Sequence, residues 1–285
     1  MKEFLRESLS FSKNFALSLV SFFSIIFFST LSARRSIKRI RKSIKNKDKA
    51  LILANGPSLN TYLEKGDYPL GGVFVVNFFS VSPYFKQLRP DNYIVADPRM
   101  CGEATGAFAE EVAKVYKNIN EADWDINMFF PSYIPKKVVN KMIKNPHIHV
   151  VYYNRTSVEG FKWFRHFIYR NNLGMPTPEN VTNASIFLAL NLGYKNIYLY
   201  GLEHSWMKNF DCDPVEHKIF LNDGHFYESK NLRYFKRGEY DRWLEEIHIA
   251  MSSHYKLREY ADLIGTKIVN KTDYSFVDAY EFEDY

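Results

Sequence analysis

Short apolar runs alternate with longer amphipathic stretches from residue 49 to the end of the chain. Apolar runs bounded by turn residues are typical of buried strands, and apolar positions at helical spacing are typical of helices. The pattern predicts strands at 49–54, 73–78, 93–97, 149–153, 196–201 and 266–270. It predicts helices at 106–118, 133–144, 157–170, 183–192 and 239–263, the last closed by Gly265. This alternation indicates an α/β, doubly wound domain with a mainly parallel sheet.

The first of these strands stops at an abrupt turn, Asn55-Gly56-Pro57-Ser58. Pro57 cannot donate a backbone hydrogen bond, and Gly56 is free to take a positive φ. Ser58 is suited to cap a helix directly after the turn. The turn has neither the P-loop pattern nor G-x-G-x-x-G, so its ligand has to be inferred from the residues around it.

Polar residues also come after the later strands. Asn77 ends the second, Asp97 and Arg99 come after the third, and Glu203 and His204 come after Gly201. The carboxyl ends of parallel strands share one edge of a sheet, which is where α/β sheets bind ligands. An asparagine in such a place is more often a turn former, but its recurrence at successive strand ends favours a binding site.

The helix that opens near residue 183 is a further candidate. It places Thr182, Asn183 and Ser185 at its N-terminus, where free N–H groups and the helix dipole favour a phosphate. The alternative is that Thr182 or Asn183 is only a helix cap.

The alternation lapses between Gly201 and Gly238. A long patternless segment inside a compact domain is usually a functional loop, so we predict a lid over about residues 202–238. Asp211-Cys212-Asp213 resembles the metal-binding D-x-D of one glycosyltransferase class, but no apolar strand precedes it. No helical histidine spacing supports a zinc site at His204, Glu216 and His217, and no metal is predicted.

The N-terminal segment has a different character. Residues 14–33 carry no charge, and about 20 such residues cross a bilayer. Up to Lys49 the chain has 12 basic and 3 acidic residues, so the positive-inside rule keeps the main domain in the cytoplasm. We therefore predict a membrane anchor with a basic segment at 1–48 and a catalytic domain at 49–285. Arginines directly after Ala33 disfavour a cleaved signal peptide.

The mode of membrane contact, expected over residues 14–45, stays open at this point. Five serines tend to one side of the apolar run: Ser18, Ser21, Ser24, Ser29 and Ser32. Such a helix can cross the bilayer, lie in its interface or pack against copies of itself in a homo-oligomer. Ile37, Ile40 and Ile44 then form one face of a basic amphipathic helix suited to an anionic leaflet.

Composition narrows the function classes. The net charge is +6, but the excess lies in the N-terminal segment, so a nucleic-acid footprint on the main domain is not expected. Cys101 and Cys212 are the two cysteines of the sequence, which excludes a disulfide framework and suits a reducing compartment.

Four stretches, "ILANGPSL", "VVNFFS", "ALNLGYKNIYLYGLEHSW" and "NDGHFY", together resemble the bacterial sialyltransferases of glycosyltransferase family 42. They are also similar to related domains of the flagellin-modifying motility accessory factor type. The resemblance covers most of residues 49–280 in motif order. It implies a Rossmann-like, GT-A-like domain with a lid, which uses a CMP-activated nonulosonic acid without a metal. The acceptor would be a glycan or glycolipid at the cytoplasmic face of the bacterial inner membrane.

Individual residues can be matched to the family's motifs. Asn55, Gly56 and Ser58 match its nucleotide-binding turn, and Asn77 matches a second nucleotide-side asparagine. His225 matches the catalytic histidine base. Asp97 stands where the family has asparagine, and no tyrosine comes after "YLYG" to stabilise the departing phosphate. The candidates for that task are Arg99, Tyr198, His204 and Tyr227.

The chemistry predicted from these residues is direct transfer with inversion. A histidine is apt as the base because its pKa lies near neutral pH. Two alternatives remain open. Domains with the same "NGPSL" turn resemble the archaeal pterin diphosphokinases, which implies a magnesium-dependent transfer of diphosphate to a hydroxymethylpterin with Asp97 as a metal ligand. A membrane-tethered scaffold would instead keep the nucleotide fold without catalysis.

Overall fold

The computed structural model describes residues 2–66, 71–102, 104–223 and 231–283. Within these ranges the strands are β1 (Lys49–Leu53), β2 (Gly72–Val76), β3 (Asn92–Ile94), β4 (Ile126–Pro131), β5 (Ile148–Tyr153), β6 (Asn196–Tyr200), β7 (Phe210–Cys212), β8 (Ile219–Asp223), β9 (Asn231–Tyr234), β10 (Lys267–Asn270) and β11 (Glu281–Phe282). Eight of them form one sheet in the order β11-β10-β6-β1-β2-β3-β4-β5, and each pairing in it is parallel. The predicted α/β class with a mainly parallel sheet is confirmed.

Helices cover both faces of this sheet. In the described ranges they are α1 (Lys2–Phe28), α2 (Leu31–Ser43), α3 (Leu59–Lys65), α4 (Tyr84–Leu88), α5 (Gly106–Asn120), α6 (Lys136–Met142), α7 (Lys162–Arg170), α8 (Val181–Leu192) and α9 (Glu239–Ile264). Short 3₁₀ helices lie at Asn77–Val81, Pro98–Cys101 and Ser205–Asn209. One apolar layer contains α2, α7, α8 and α9, and the other contains α3 to α6.

Strand β1 shows why the sheet is buried on both faces. Ala50 and Ile52 belong to the core under α8, whereas Leu51 and Leu53 belong to the core under α3. All four are at most 1% exposed, as expected when side chains of a central parallel strand alternate between two covered faces. An uninterrupted apolar run is the sequence signature of such a strand.

The chain order reverses at β1. From β1 the sheet grows through β2 to β5 on one side, and then β6 and β10 are added on the other side. The turn after β1 and the segment after β6 therefore flank the topological switch point, where the crevice of an open α/β sheet lies. Residues 54–58 and 201–204 border this crevice.

Three local predictions need correction. The second strand ends at Val76 rather than at residue 78, because Asn77 adopts φ 44° and begins a 3₁₀ helix. The helix expected from residue 157 begins only at Lys162, because Gly160 at φ 105° breaks it. Strand β4 was not predicted at all, and it pairs with β5 over six residues.

The isoleucine face of the basic segment lies inside the protein. Ile37 is 1% exposed and belongs to the core with α8, and Ala33 is fully buried. Ile40 and Ile44 pack against the same core. The expectation that this face meets a leaflet thus differs from the structure, in which α2 covers β5 and α8. An amphipathic pattern does not distinguish a sheet from a lipid surface as the apolar partner.

Helix α1 lies against the domain along one side only. Residues Arg6–Phe28 contain an 18-residue window with a mean hydropathy of 1.6, of which 6% is buried, so by length and composition α1 could cross a membrane. The core helix of a soluble protein and an N-terminal signal sequence meet the same criterion. Within the region expected to be a lid, β7, β8 and β9 form a small antiparallel sheet.

Candidate functional site

Two adjoining cavities open at the carboxyl edge of the parallel sheet. The first has a volume of about 450 Å³ and lies between the Asp97–Arg99 segment and α9. The second, of about 340 Å³, lies between the turn after β1 and the segment after β6. Asn77, Asn180, Val181 and Trp206 line both. This cleft occupies the switch point, as expected for a ligand site in this fold.

Two asparagines present unused acceptors at this cleft. The carbonyl oxygens Oδ1 of Asn55 and Asn77 are buried and have no hydrogen-bond partner among the described residues. The backbone of Asn77 is held in place because its main-chain carbonyl oxygen accepts a hydrogen bond from the hydroxyl of Tyr93. Tyr93 is itself fully buried. A buried acceptor without a donor is costly. A ligand with N–H or O–H groups would satisfy both.

A buried carboxylate closes the turn after β1. The N–H of Ser58 donates to Oε1 of Glu203 at 2.6 Å, and burial raises the pKa of Glu203 although this bond lowers it. A Cβ on Gly56 would lie 1.4 Å from Glu203 Oε2 and 2.5 Å from the carbonyl oxygen of Gly201. Glycine is therefore required here by close approach. The positive φ expected at Gly56 is not observed, and the hydroxyl of Ser58 makes no capping bond.

His204 belongs to a hydrogen-bonded relay behind the second cavity. Its Nε2 lies 3.0 Å from Nδ2 of Asn180 and 3.1 Å from Nε2 of His254. Nδ1 of His254 lies 2.9 Å from the hydroxyl of Tyr280. The ring of His204 stacks on Trp206 with centroids 4.3 Å apart. Burial lowers the pKa of His204 to about 3 and also lowers that of His254.

The hydrogen bonds of this relay determine which ring nitrogen of His204 carries the proton. Oδ1 of Asn180 accepts the N–H of Asn183 as the cap of α8, so Nδ2 of Asn180 has to donate to His204. Nε2 of His204 is then an acceptor for both neighbours, and the proton of the neutral ring is on Nδ1. In this state His204 is a hydrogen-bond donor at the cleft and a poor general base.

Charged groups line the first cavity. The guanidinium of Arg99 contacts the carboxylate of Asp97 at 2.7 Å and lies over the ring of Phe108; the hydrogen bond to Asp97 raises the pKa of Arg99. Glu179 has a raised pKa through burial and the nearby charge of Glu246. Within the described parts of the chain, no group of three or more His, Cys, Asp or Glu side chains is placed to hold a metal ion.

The structure brings seven of the predicted site residues to the cleft. They are Asn55, Gly56, Asn77, Asp97, Arg99, Thr182 and His204. Ser58 contributes its N–H to Glu203 and does not line the cavities. His225 and Tyr227 lie outside the described residues.

Three other candidates point elsewhere. Asn183 is buried with its Nδ2 3.5 Å from the carbonyl oxygen of Ala250, and the hydroxyl of Ser185 donates to the carbonyl oxygen of Val181. Tyr198 packs against the core beneath α3. The N-terminus of α8 does reach the cleft, through Asn180, Val181 and Thr182.

Sequence reasoning missed Asn180, Trp206, Arg155 and the pair Glu179 and Glu246. Asn180 carries a usable signal, because an asparagine before an apolar helical run is a standard N-cap. Trp206 comes directly after the strand-end motif. The others lie in loops or on α9, and no local pattern marks them.

Comparison of the sequence with protein-family models and with curated proteins finds no match. The resemblance to family 42 therefore stays a prediction, and the function has to be argued from the chemistry of the cleft.

Proposed function

We propose that the protein is an inverting, metal-independent glycosyltransferase that moves a nonulosonic acid from a CMP-activated donor to a surface glycan or glycolipid. In this proposal the α/β domain is a Rossmann-like variant of the GT-A type, and residues 202–238 close over the cleft as a lid. The enzyme works at the cytoplasmic face of a bacterial inner membrane, held there by its N-terminal helix.

The observation that carries the proposal is the pair of unsatisfied oxygens on Asn55 and Asn77, at the ends of adjacent strands β1 and β2. Each is free to accept a hydrogen bond from a ligand. The exocyclic amine of cytosine and the hydroxyls of ribose are donors of this kind. An acceptor pair at the switch point therefore supports a nucleotide ligand, and the motif resemblance selects CMP among nucleotides.

The remaining groups of the cleft have roles that fit the same reaction. The N-terminus of α8, Arg99 and Nδ1 of His204 are suited to stabilise the departing phosphate. Glu179 and Glu246 are suited to accept hydrogen bonds from sugar hydroxyls. His225 is the proposed base that removes the proton of the acceptor hydroxyl.

Nucleotide binding in EDTA tests the proposal. A thermal-shift series with CMP, UMP, GDP and ATP should select CMP, which at 100 times its dissociation constant adds about 2.7 kcal/mol of stability. Asn55→Ala and Asn77→Ala should each weaken CMP binding about two- to tenfold, the range of one hydrogen bond. The matched control is Asn140→Ala, an exposed position on α6.

The other outcomes would favour an alternative function or contradict the proposed site. Binding of ATP that requires Mg²⁺ would favour the diphosphokinase, with Asp97 as a metal ligand. Absence of binding by any nucleotide would favour the tethered scaffold. Equal CMP affinity in the two asparagine variants and the wild type would overturn the assignment of the nucleotide site.

A further inference from the structure

The serine side of α1 is hydrogen-bonded to the domain. Oγ of Ser18 accepts the N–H of Phe161 at 3.0 Å, and Oγ of Ser21 accepts the N–H of Glu159 at 2.8 Å. Directly after α1, Oγ of Ser29 lies 2.7 Å from Oγ1 of Thr156. The docked part of α1, from Ser18 to its end at Phe28, is about 15 Å long at 1.5 Å per residue. The polar stripe of α1 thus has its partners within the same chain.

This docking is incompatible with a helix that crosses the bilayer. A crossing needs about 20 apolar residues, or about 30 Å. Residues 2–17, which precede the docked part, would span only about 24 Å and contain Lys2, Arg6 and Lys13. Residues 154–161 would also have to enter the hydrocarbon, with the charges of Arg155 and Glu159. The docked α1 can therefore only lie along a membrane.

The opposite side of α1 is a continuous apolar surface. Its exposed members include Leu9, Phe11, Phe15, Leu19, Val20, Phe22, Phe23, Ile26, Phe27 and Phe28. The rings of Phe11 and Phe161 are 5.2 Å apart, and Phe161 stacks on Trp163 at 6.4 Å. Trp163 and Phe167, one turn apart on α7, are 71% and 61% exposed. We call the exposed side of α1, together with the side chains of Trp163 and Phe167, the apolar surface.

Basic residues follow the apolar surface along the chain. Leu31 is 56% exposed at the start of α2, and exposed Arg35, Lys38, Arg39 and Lys42 come after it at helical spacing. Residues 29–43 contain no acidic side chain. A cationic stripe beside exposed aromatic and aliphatic side chains is complementary to anionic phospholipid.

We propose that α1 lies in the plane of an anionic phospholipid bilayer while its serine side stays docked, so that the protein is monotopic. This inference rests on the membrane attachment of the proposed function, and it adds the orientation of α1 relative to the bilayer. The apolar surface enters the acyl boundary, and the basic residues of α2 contact the headgroups.

The orientation has a consequence for the cleft. Residues 154–157 come after β5 at the carboxyl edge of the sheet, where the cleft opens. Arg155 lines the first cavity and also a groove of about 310 Å³ beside Ser24 and Phe28 of α1. A membrane-borne acceptor would approach the cleft along this groove.

Depth measurements on the full-length protein in vesicles test the proposal. Nitroxide labels go one at a time on Phe15→Cys, Leu19→Cys, Phe22→Cys and Ile26→Cys, all on the exposed face, in a Cys212→Ser background that retains buried Cys101. We expect equal depths at the four positions. A crossing helix would instead show a difference of about 16 Å between positions 15 and 26, and this result would overturn the proposal.

Binding to vesicles of phosphatidylglycerol and phosphatidylcholine tests the chemistry of the partner. Each of Lys38→Gln and Lys42→Gln should lower the partition coefficient about fivefold on anionic vesicles and leave it unchanged on neutral ones. The double variant Trp163→Ala, Phe167→Ala should weaken binding to both kinds of vesicle, whereas Val215→Ala, at a position 84% exposed between β7 and β8, should not. Equal binding of the wild type to neutral and anionic vesicles would overturn the choice of partner.

The two proposals fail separately. Equal label depths in a protein that binds no CMP would retain the in-plane helix and reject the transferase. A depth gradient in a protein that binds CMP would do the reverse.

Discussion

At the scale of single residues, Glu203 determines what the turn after β1 can bind. Its carboxylate already accepts the N–H of Ser58 at the start of α3, a place that resembles an anion site. A phosphate there would meet a carboxylate that is 5% exposed. For the proposed nucleotide, the turn is therefore better suited to the neutral parts, through Asn55, and we expect the phosphate to lie near α8.

His225 provides the sharpest test of the reaction. If it is the general base, His225→Ala should lower kcat by about 10² to 10⁴ and leave CMP affinity nearly unchanged, because the proton leaves the acceptor rather than the nucleotide. The rise of the rate through neutral pH should also disappear. His217→Ala, an exposed histidine on the same segment, is the control. Near-normal transfer by a folded His225→Ala would exclude the base assignment.

The buried histidine relay predicts a dependence of stability on pH. His204 and His254 are neutral in the fold because burial lowers the pKa of each, to about 3 for His204. In the unfolded chain both return to about 6.5. Below about pH 6.5 the unfolded state binds more protons than the folded state. The free energy of unfolding should therefore decrease as the pH is lowered, by up to about 1.4 kcal/mol per pH unit for each histidine.

Urea unfolding between about pH 5 and about pH 7.5 measures this slope. His254→Gln should lower the slope by up to about 1.4 kcal/mol per pH unit, and His248→Gln, which is exposed on α9, should leave it unchanged. An unchanged slope in His254→Gln would show that the relay does not titrate in this way.

At the scale of elements, α2 is part of the folded domain. Ile37→Ala should lower the free energy of unfolding by about 2–5 kcal/mol, because it leaves a cavity beside β5 and α8. Lys38→Ala, on the exposed side of the same helix, should change it by at most about 0.5 kcal/mol. Denaturation of the detergent-solubilised protein measures both. If α2 served only the membrane, Ile37→Ala would leave the stability of the domain unchanged.

At the scale of the whole molecule, α2 contributes Ile37 to the core of the domain, so we propose that the membrane anchor ends after α1 rather than near residue 48. Removal of residues 1–28 should release the protein from membranes and preserve the sheet. Removal of residues 1–45 should prevent folding, because it uncovers the apolar surfaces of β5 and α8 that Ala33 and Ile37 occupy. The soluble yield and the near-ultraviolet circular dichroism of the two truncated chains show whether each of them folds. Equal yield and equal spectra would contradict this boundary.

Local patterns predicted much of this architecture and little of the pairing between distant residues. The strands around residues 49, 149 and 196 are apolar runs because both faces of the sheet are covered. By contrast, the contact of Ser58 with Glu203 joins residues 145 positions apart, and nothing near either residue indicates it. Asn77 was expected at a strand end, but its left-handed backbone depends on the Tyr93 hydroxyl, which comes from the neighbouring strand.

The docking of α1 also has a consequence for the order of events during synthesis. Ser21 pairs with Glu159, 138 residues later, and Ser18 pairs with Phe161, 143 residues later. At about 5–20 residues per second, the ribosome needs roughly 7–30 s to produce those partners. During this interval the first helix has emerged with its aromatic side uncovered and its serines unpaired. A bilayer or a targeting factor could therefore reach the helix before its own domain does.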